Sequence, residues 1–358
     1  MVHGSPIRHG YFHNAAVMLA YAVFVALLLH PAGVSSWTRS SLPLQGLERT
    51  SPSGGGRILT PAIFIKPNFT YPYYKEGITT NPEVLRALCV ILKDRCDQVV
   101  IGESDGGKRS FTADDAFRGH GVDKICRDIG VERVNLSTLP SQYVEDVIQG
   151  KRVKVQVPNI LIDDIDCFMS LPVLKVHVMT TVTLSMKNLW GCYPDTMRGL
   201  HHADLGRKLT LLTKIINPRL VVVDGTYGLD GHGPMYGTAK RLDLLLASNN
   251  LVVADALGTR LMGFDPQDVD HIVHAEREGL GTTDLTKVNL NDDWKQYQQD
   301  FSVKKTFVDR LSVLLFRSEL LAKVVMDSPL SPPIYKVAAL LRNPHEKEVV
   351  SDLEKVSR

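Results

Sequence analysis

The chain lacks the features by which several function classes are usually read. Its 41 lysines and arginines are nearly matched by 39 acids, a net charge of +2 over 358 residues. There is no concentrated basic excess to compete for nucleic-acid phosphates at physiological salt, so nucleic acid is not an expected partner. The five cysteines, Cys89, Cys96, Cys126, Cys167 and Cys192, are widely spaced and contain no C-x-x-C pair. A disulfide framework and an iron–sulfur cluster are therefore both unexpected. Wholesale disorder is excluded in turn, because 44% of the residues are hydrophobic and a chain of this length can bury a large core.

Acidic residues are also missing from the beginning of the chain, where the first is Glu48, and His9 to Thr38 contains no charged residue of the Asp, Glu, Lys or Arg type. Within it Ala15 to Leu29 is an unbroken apolar run. This is short for the roughly 20 residues that cross a bilayer, although the uncharged flanks extend it over 11–34. With Arg8 before it and small residues from Ala32 to Ser36 after it, the segment reads as a signal peptide or a membrane anchor. It makes the protein membrane-anchored or exported, with membrane contact through this segment only. The alternatives are a peripheral helix, or a start codon placed too far upstream, which leaves the protein cytoplasmic. Ser51 to Arg57, SPSGGGR, is a flexible linker, so residues 1–57 are set apart as the N-terminal segment.

Beyond the linker, apolar runs of strand length alternate with helical patterns. Ala62 to Lys66, Gln98 to Gly102 and Glu132 to Leu136 read as strands, with helices over Pro82 to Lys93 and Asp114 to Ile129 between them. Further strands are expected at Val153 to Val157, Cys167 to Leu171, Thr181 to Lys187, Leu220 to Val223 and Asp243 to Ala247, with helices at Leu205 to Ile216 and Leu251 to Met262. Runs such as LVVVD, apolar on both faces, suit a sheet covered on both sides by helices. The expected class is α/β, mostly parallel sheet with flanking helices over 58–292, followed by a helical C-terminal appendage over 293–358.

In open α/β sheets ligands gather at the carboxyl ends of strands. Lys66 and Asn68 stand at one such end, and Glu103 and Ser104 at the next, inside GESDGG, which matches no Walker or Rossmann fingerprint. The densest polar cluster follows LPVLKVH: Lys175 and His177, then Thr180, Thr181, Thr183, Lys187 and Asn188. Lysines and imidazole so concentrated are costly to bury without a partner, which points to an anionic ligand, a metal or a solvated mouth. His201 and His202 cannot share a face of one element, so at most one faces the same site, as a candidate divalent-metal ligand. Asp224 opens a glycine-rich stretch through Pro234 that carries Asp230 and His232 at its bends, and at least one of Gly231 and Gly233 is expected at positive φ.

The segments KPN, GES, LPVLKVH with TVTLSMKNLWG, VVDG, GLDGHGP and VVADALGTRLMG together resemble the domain of unknown function 362 family, from about Ile63 to about Asp292. The family name implies no reaction. The ferredoxin-like cluster domain of some members has no counterpart in the cysteines here. A more distant similarity is to lactate racemases that use a nickel-pincer nucleotide, in which a catalytic histidine precedes the cofactor-tethering lysine by ten residues, as His177 precedes Lys187. That resemblance implies proton transfer by His177 and a nucleophilic or tethering Lys187, with a metal-binding histidine in the place of His201 or His202. The second racemase histidine has no match in GESDGGKRS, and the next histidine is His120, which favours a one-base or hydride-transfer reaction. Two functions stay open: an enzyme on a small anionic substrate, with His177, Lys187, Lys175 and Asp224 catalytic, Lys66, Asn68, Glu103, Ser104 and Asn188 binding, and His201, His202 and Asp230 as metal ligands; or a non-catalytic protein that holds an anion or cofactor in the same cleft.

Overall fold

The computed structural model describes residues 62–96, 98–341 and 344–356. The apolar run at 15–29 and the linker lie outside the described residues. Ten strands are described: β1 (Ala62–Pro67), β2 (Gln98–Glu103), β3 (Glu132–Asn135), β4 (Ser141–Ile148), β5 (Lys151–Pro158), β6 (Cys167–Leu171), β7 (Val173–His177), β8 (Thr181–Val182), β9 (Leu220–Asp230) and β10 (Thr238–Ser248). The main sheet runs β3-β2-β1-β6-β9-β7-β8, with β10 on β9. Pairing is parallel from β3 to β9 and between β7 and β9, and antiparallel where β8 and β10 join. β4 and β5 form a separate antiparallel ribbon. This is the mostly parallel α/β sheet expected from the apolar runs.

Among the described residues twelve α-helices accompany the strands: α1 (Pro82–Lys93), α2 (Ala113–Gly119), α3 (Val122–Ile129), α4 (Ile160–Asp163), α5 (Leu184–Asn188), α6 (Leu205–Ile216), α7 (Leu251–Leu261), α8 (Asp270–Arg277), α9 (Phe307–Leu315), α10 (Glu319–Met326), α11 (Ser331–Leu341) and α12 (Pro344–Val356). Among the described residues no helix is long and apolar enough to cross a membrane. The sheet divides the interior. Ile63, Ile65, Val99, Ile101, Cys167 and Met169 point to one side, toward α1, α2 and α3; Phe64, Phe168, Val221 and Val223 point to the other, toward α6 and α7. Period-2 alternation of uniformly apolar strands produces both cores at once.

Several expectations are corrected. One helix over 114–129 is two, because Gly121 takes φ 71° between α2 and α3, a conformation open to glycine. β4, whose exposed face alternates Tyr143, Glu145 and Val147, was not anticipated as a strand. The expected strand at Thr181 to Lys187 is only β8; from Leu184 the chain turns into helix α5, because the two oxygens of buried Asp255 accept the N–H groups of Ser185 (2.7 Å) and Met186 (2.8 Å). The bends expected after Asp224 are strand, since β9 continues to Asp230 paired to β10. Of the two glycines, Gly231 takes positive φ, 89°, while Gly233 approaches the Val176 carbonyl too closely for a Cβ.

The segment beyond Asp292 packs on the α/β unit. Phe301 is buried in the larger core, and on α12 Asp352 accepts hydrogen bonds from Tyr71 (3.1 Å) and Tyr73 (3.2 Å) and pairs with Lys75 (3.3 Å).

Candidate functional site

The carboxyl ends of β1 and β2 bring their polar residues together. Lys66 is 2.6 Å from Glu103 Oε1, with both side chains buried, and also donates to the Pro67 carbonyl (2.8 Å). The Glu103 carboxylate further accepts the N–H groups of Ser104 (3.1 Å) and Phe69 (3.1 Å). An ion pair removed from water needs this degree of satisfaction to offset its desolvation. Asn68 donates to Asn188 Oδ1 (3.0 Å), and Asn188 donates to the Lys66 carbonyl (3.0 Å) and Ser170 Oγ (3.3 Å). Ser104 donates to the Gly191 carbonyl and accepts from Arg198 (2.6 Å). Lys66, Asn68, Glu103, Ser104 and Asn188, expected as a binding group, thus form one contiguous network, and its hydrogen-bonding capacity is mostly spent inside the protein.

Lys175 is fully buried. Its ammonium donates to Asn68 Oδ1 (2.7 Å), Thr70 Oγ1 (3.0 Å) and the Ile78 carbonyl (2.6 Å). Three donors meet three neutral acceptors, which ties β7 to the loop after β1 and leaves none for a ligand. Burial, and then the Lys187 charge, holds its pKa well below the ordinary lysine value.

Asp224 and Asp230 stand apart from the lysines of this cluster. Asp224 is buried and accepts the Asn81 N–H (2.7 Å) at the start of α1, together with the N–H (3.0 Å) and hydroxyl (2.7 Å) of Thr226; burial raises its pKa. Asp230 pairs with Lys240 (2.9 Å) and accepts from the Ser302 N–H (2.7 Å). The expectation that these two carboxylates offset Lys175 and Lys187 is corrected: the acid that acts on Lys175 is Glu103, paired with Lys66, and no carboxylate among the described residues pairs with Lys187. No three His, Cys, Asp or Glu side chains among the described residues are gathered to hold a metal ion. His201 binds Asp195 (3.0 Å), His202 packs on Trp190 (5.8 Å between ring centroids) and Phe316 (5.7 Å), and Asp230 is engaged as above, so the expected metal set of His201, His202 and Asp230 does not form.

What the network leaves over centres on Lys187. Helix α5 carries it half-buried, and it has no hydrogen bond or ion pair with a described residue. Burial first, and then the Arg198 charge, pushes its pKa down to about 7. The Lys187 charge acts on three desolvated histidines: His177, His202 and His271. Burial chiefly, with that charge next, holds His177 and His202 well below the ordinary histidine value and His271 at about 3. All three are neutral near pH 7. His177 Nδ1 accepts the Met179 N–H (3.0 Å), which leaves the ring proton on Nε2. His202 Nδ1, His271 Nε2, Trp190 Nε1 and Thr183 Oγ1 are buried without a hydrogen-bond partner, a concentration of unsatisfied polar atoms that folded interiors rarely tolerate. A depression lined by Ala62, Gln98, Val100, Ile160, Asp164 and Ile165 lies at the amino ends of the strands and holds none of these residues.

Three participants had escaped the sequence reading. Asp255, inside the apolar run VVADALG, was legible as an acid on a buried helix face. Arg198 and His271 gave no signal, because an arginine in a polar loop and a histidine on an amphipathic helix are ordinary surface patterns.

A family model described as Domain of unknown function (DUF362) matches residues 63–260. The chain belongs to this family. The matched span of the DUF362 domain runs from β1 into α7 and includes Lys66, Glu103, Lys175, His177, Lys187, Arg198 and Asp255, whereas His271 and helices α8 to α12 follow it. The chain is similar to a thylakoid-associated protein of Synechocystis sp., with 27% identity over 245 residues, 65% of this chain and 73% of that protein. No solved structure matches.

Proposed function

We propose that this protein is an enzyme that binds a small anionic substrate at Lys187 and moves a proton to or from it through His177. The observation that carries the reading is Lys187 itself: an amine with no partner among the described residues, lowered to about 7, beside neutral imidazoles and unsatisfied polar atoms. A carboxylate or phosphate there gives the ammonium its counter-charge and draws the lysine pKa back up. The unpartnered Trp190 Nε1 donor and the His177 Nε2 proton supply neutral hydrogen bonds to the same anion. His177, held well below the ordinary histidine value by burial, is neutral near pH 7 and so stands in the proton-accepting form that a general base requires. Lys66, Asn68, Glu103, Ser104 and Asn188 act in this reading by fixing the floor of the site, and Asp255 by holding α5. A divalent metal is not needed for this scheme, and no step is assigned to one.

The thylakoid association named for the Synechocystis relative supports a place at a membrane for this chain as well, with 11–34 as the segment that holds it there.

The test is a thermal-shift screen of small carboxylates and phosphates, followed by turnover assays of whichever compound stabilises the protein. Lys187→Met is expected to abolish the shift, and His177→Gln to keep most of the shift while losing turnover. A stabilising anion that binds Lys187→Met as well as the wild type removes the site. Turnover that survives in His177→Gln reduces the protein to a binder.

A further inference from the structure

The outer face of the α9–α10 hairpin carries exposed large apolar side chains interleaved with cations. In α9 the residues Phe307, Arg310, Leu311 and Leu314 recur at i, i+3, i+4 and i+7 and share one stripe. All four are exposed, Phe307 by 72% and Leu314 by 59%. α10 continues the stripe with Leu320, 73% exposed, Leu321 and Lys323, while its Ala322 and Met326 are buried. Arg317 sits exposed between the two helices. Arg310, Arg317 and Lys323 form no ion pair with a described residue. The acids that begin each helix are used elsewhere: Asp309 accepts from the Thr306 N–H (2.8 Å) and hydroxyl (2.9 Å) at the α9 cap, and Glu319 pairs with Lys208 (3.0 Å).

The geometry points to this stripe as a docking surface for an anionic lipid bilayer. Large apolar side chains alternating with unpaired cations are the composition of helices that lie in the membrane interface: the apolar groups enter the acyl boundary, and the long cationic side chains reach headgroup phosphates. Charge complementarity decides against a second copy of the chain. A two-fold contact through this face sets Arg310, Arg317 and Lys323 against their own images, with Asp309 and Glu319 already engaged. The hairpin's inner side places the docking face over the candidate site, since Phe316 stands edge-on to His202 (5.7 Å) and Met326 packs against Gly199. Docking is independent of the reaction proposed at Lys187: an inactive Lys187→Met protein keeps it.

The full chain is tested by hydrogen–deuterium exchange with vesicles of phosphatidylcholine alone and of phosphatidylcholine mixed with phosphatidylglycerol. Residues 307–325 are expected to gain protection on the mixed vesicles only and to lose it in high salt. Insertion of the apolar run at 15–29 occurs on both vesicle types and protects a different region. Arg310→Gln with Arg317→Gln is expected to lower the anionic-lipid-dependent partition about thirtyfold, and Leu314→Ser with Leu320→Ser to lower it comparably; all four residues are exposed, so the fold is kept. Unchanged exchange over 307–325 in the vesicle-bound protein overturns the proposal. So does protection of that segment on raising protein concentration without vesicles, which assigns the face to a second copy.

Discussion

Gly191 stands against the Lys66–Glu103 ion pair so closely that a Cβ at this position meets Lys66 Nζ at 2.9 Å and Glu103 Oε1 at 3.0 Å. The pair is buried and held on both sides by backbone donors and acceptors, so it cannot swing into solvent. Gly191→Ala is therefore expected to cost about 1–3 kcal/mol of stability by overpacking, read as a lower urea midpoint. An unchanged midpoint means that the pair relocates freely, and that the network is looser than its hydrogen bonds imply.

Lys187 makes stability depend on pH. Its folded value of about 7 lies below the ordinary 10.5, so between these values the unfolded chain binds more protons than the native one. Stability then rises with pH over about 7 to 10, by at most about 1.4 kcal/mol per pH unit from this group, and the penalty is complete below pH 7. Lys187→Met is expected to remove this slope and to leave the protein as stable as the wild type or more so at pH 7. Parallel pH profiles of the two unfolding free energies show that the lysine is solvated after all.

Asp255 behaves with the opposite sign. Burial pushes its carboxyl up to about 7 from 3.8, so the native state holds a proton that the unfolded state has lost, and stability falls as pH rises from about 4 to 7. Asp255→Asn is expected to flatten that fall. Asp255→Ala leaves the N–H groups of Ser185 and Met186 without acceptors and is expected to cost about 2–4 kcal/mol. Because those groups begin α5, the same variant is expected to lose any anion-induced thermal shift that depends on Lys187.

The glycines around His232 differ in kind. Gly231→Ala makes only an ordinary contact with Lys304 Cδ (3.9 Å) at a φ of 89° and is expected to cost about 1 kcal/mol. Gly233→Ala drives a Cβ into the Val176 carbonyl, a backbone atom of a paired strand, and is expected to cost several times as much. Chemical denaturation of the two variants side by side checks the order; equal costs remove the steric argument.

The sequence by itself determined the sheet and much of the site's roll. Ala62–Pro67, Gln98–Glu103 and Cys167–Leu171 read as strands because they are apolar on both faces, and strands buried on both faces have no other environment to occupy. Lys66, Asn68, Glu103 and Ser104 were placed together from strand ends, because a parallel sheet carries its strand termini to one edge, and Asn188 joined them from the polar cluster after LPVLKVH. Tertiary structure decided the roles. Thr181 to Lys187 alternates like a strand, yet Asp255, 70 residues away from Ser185 in the chain, caps it into a helix and so aims Lys187. Asp224 reads as a site residue at a strand end, but it is consumed by the first turn of α1. Lys175 and Lys187 look equivalent in the sequence; only three-dimensional packing gives one of them three oxygens and leaves the other among histidines. Spacing along the chain locates polar residues on an element, whereas their charge and availability depend on which groups from distant elements satisfy them, and that is settled only when the cores on both faces of the sheet close.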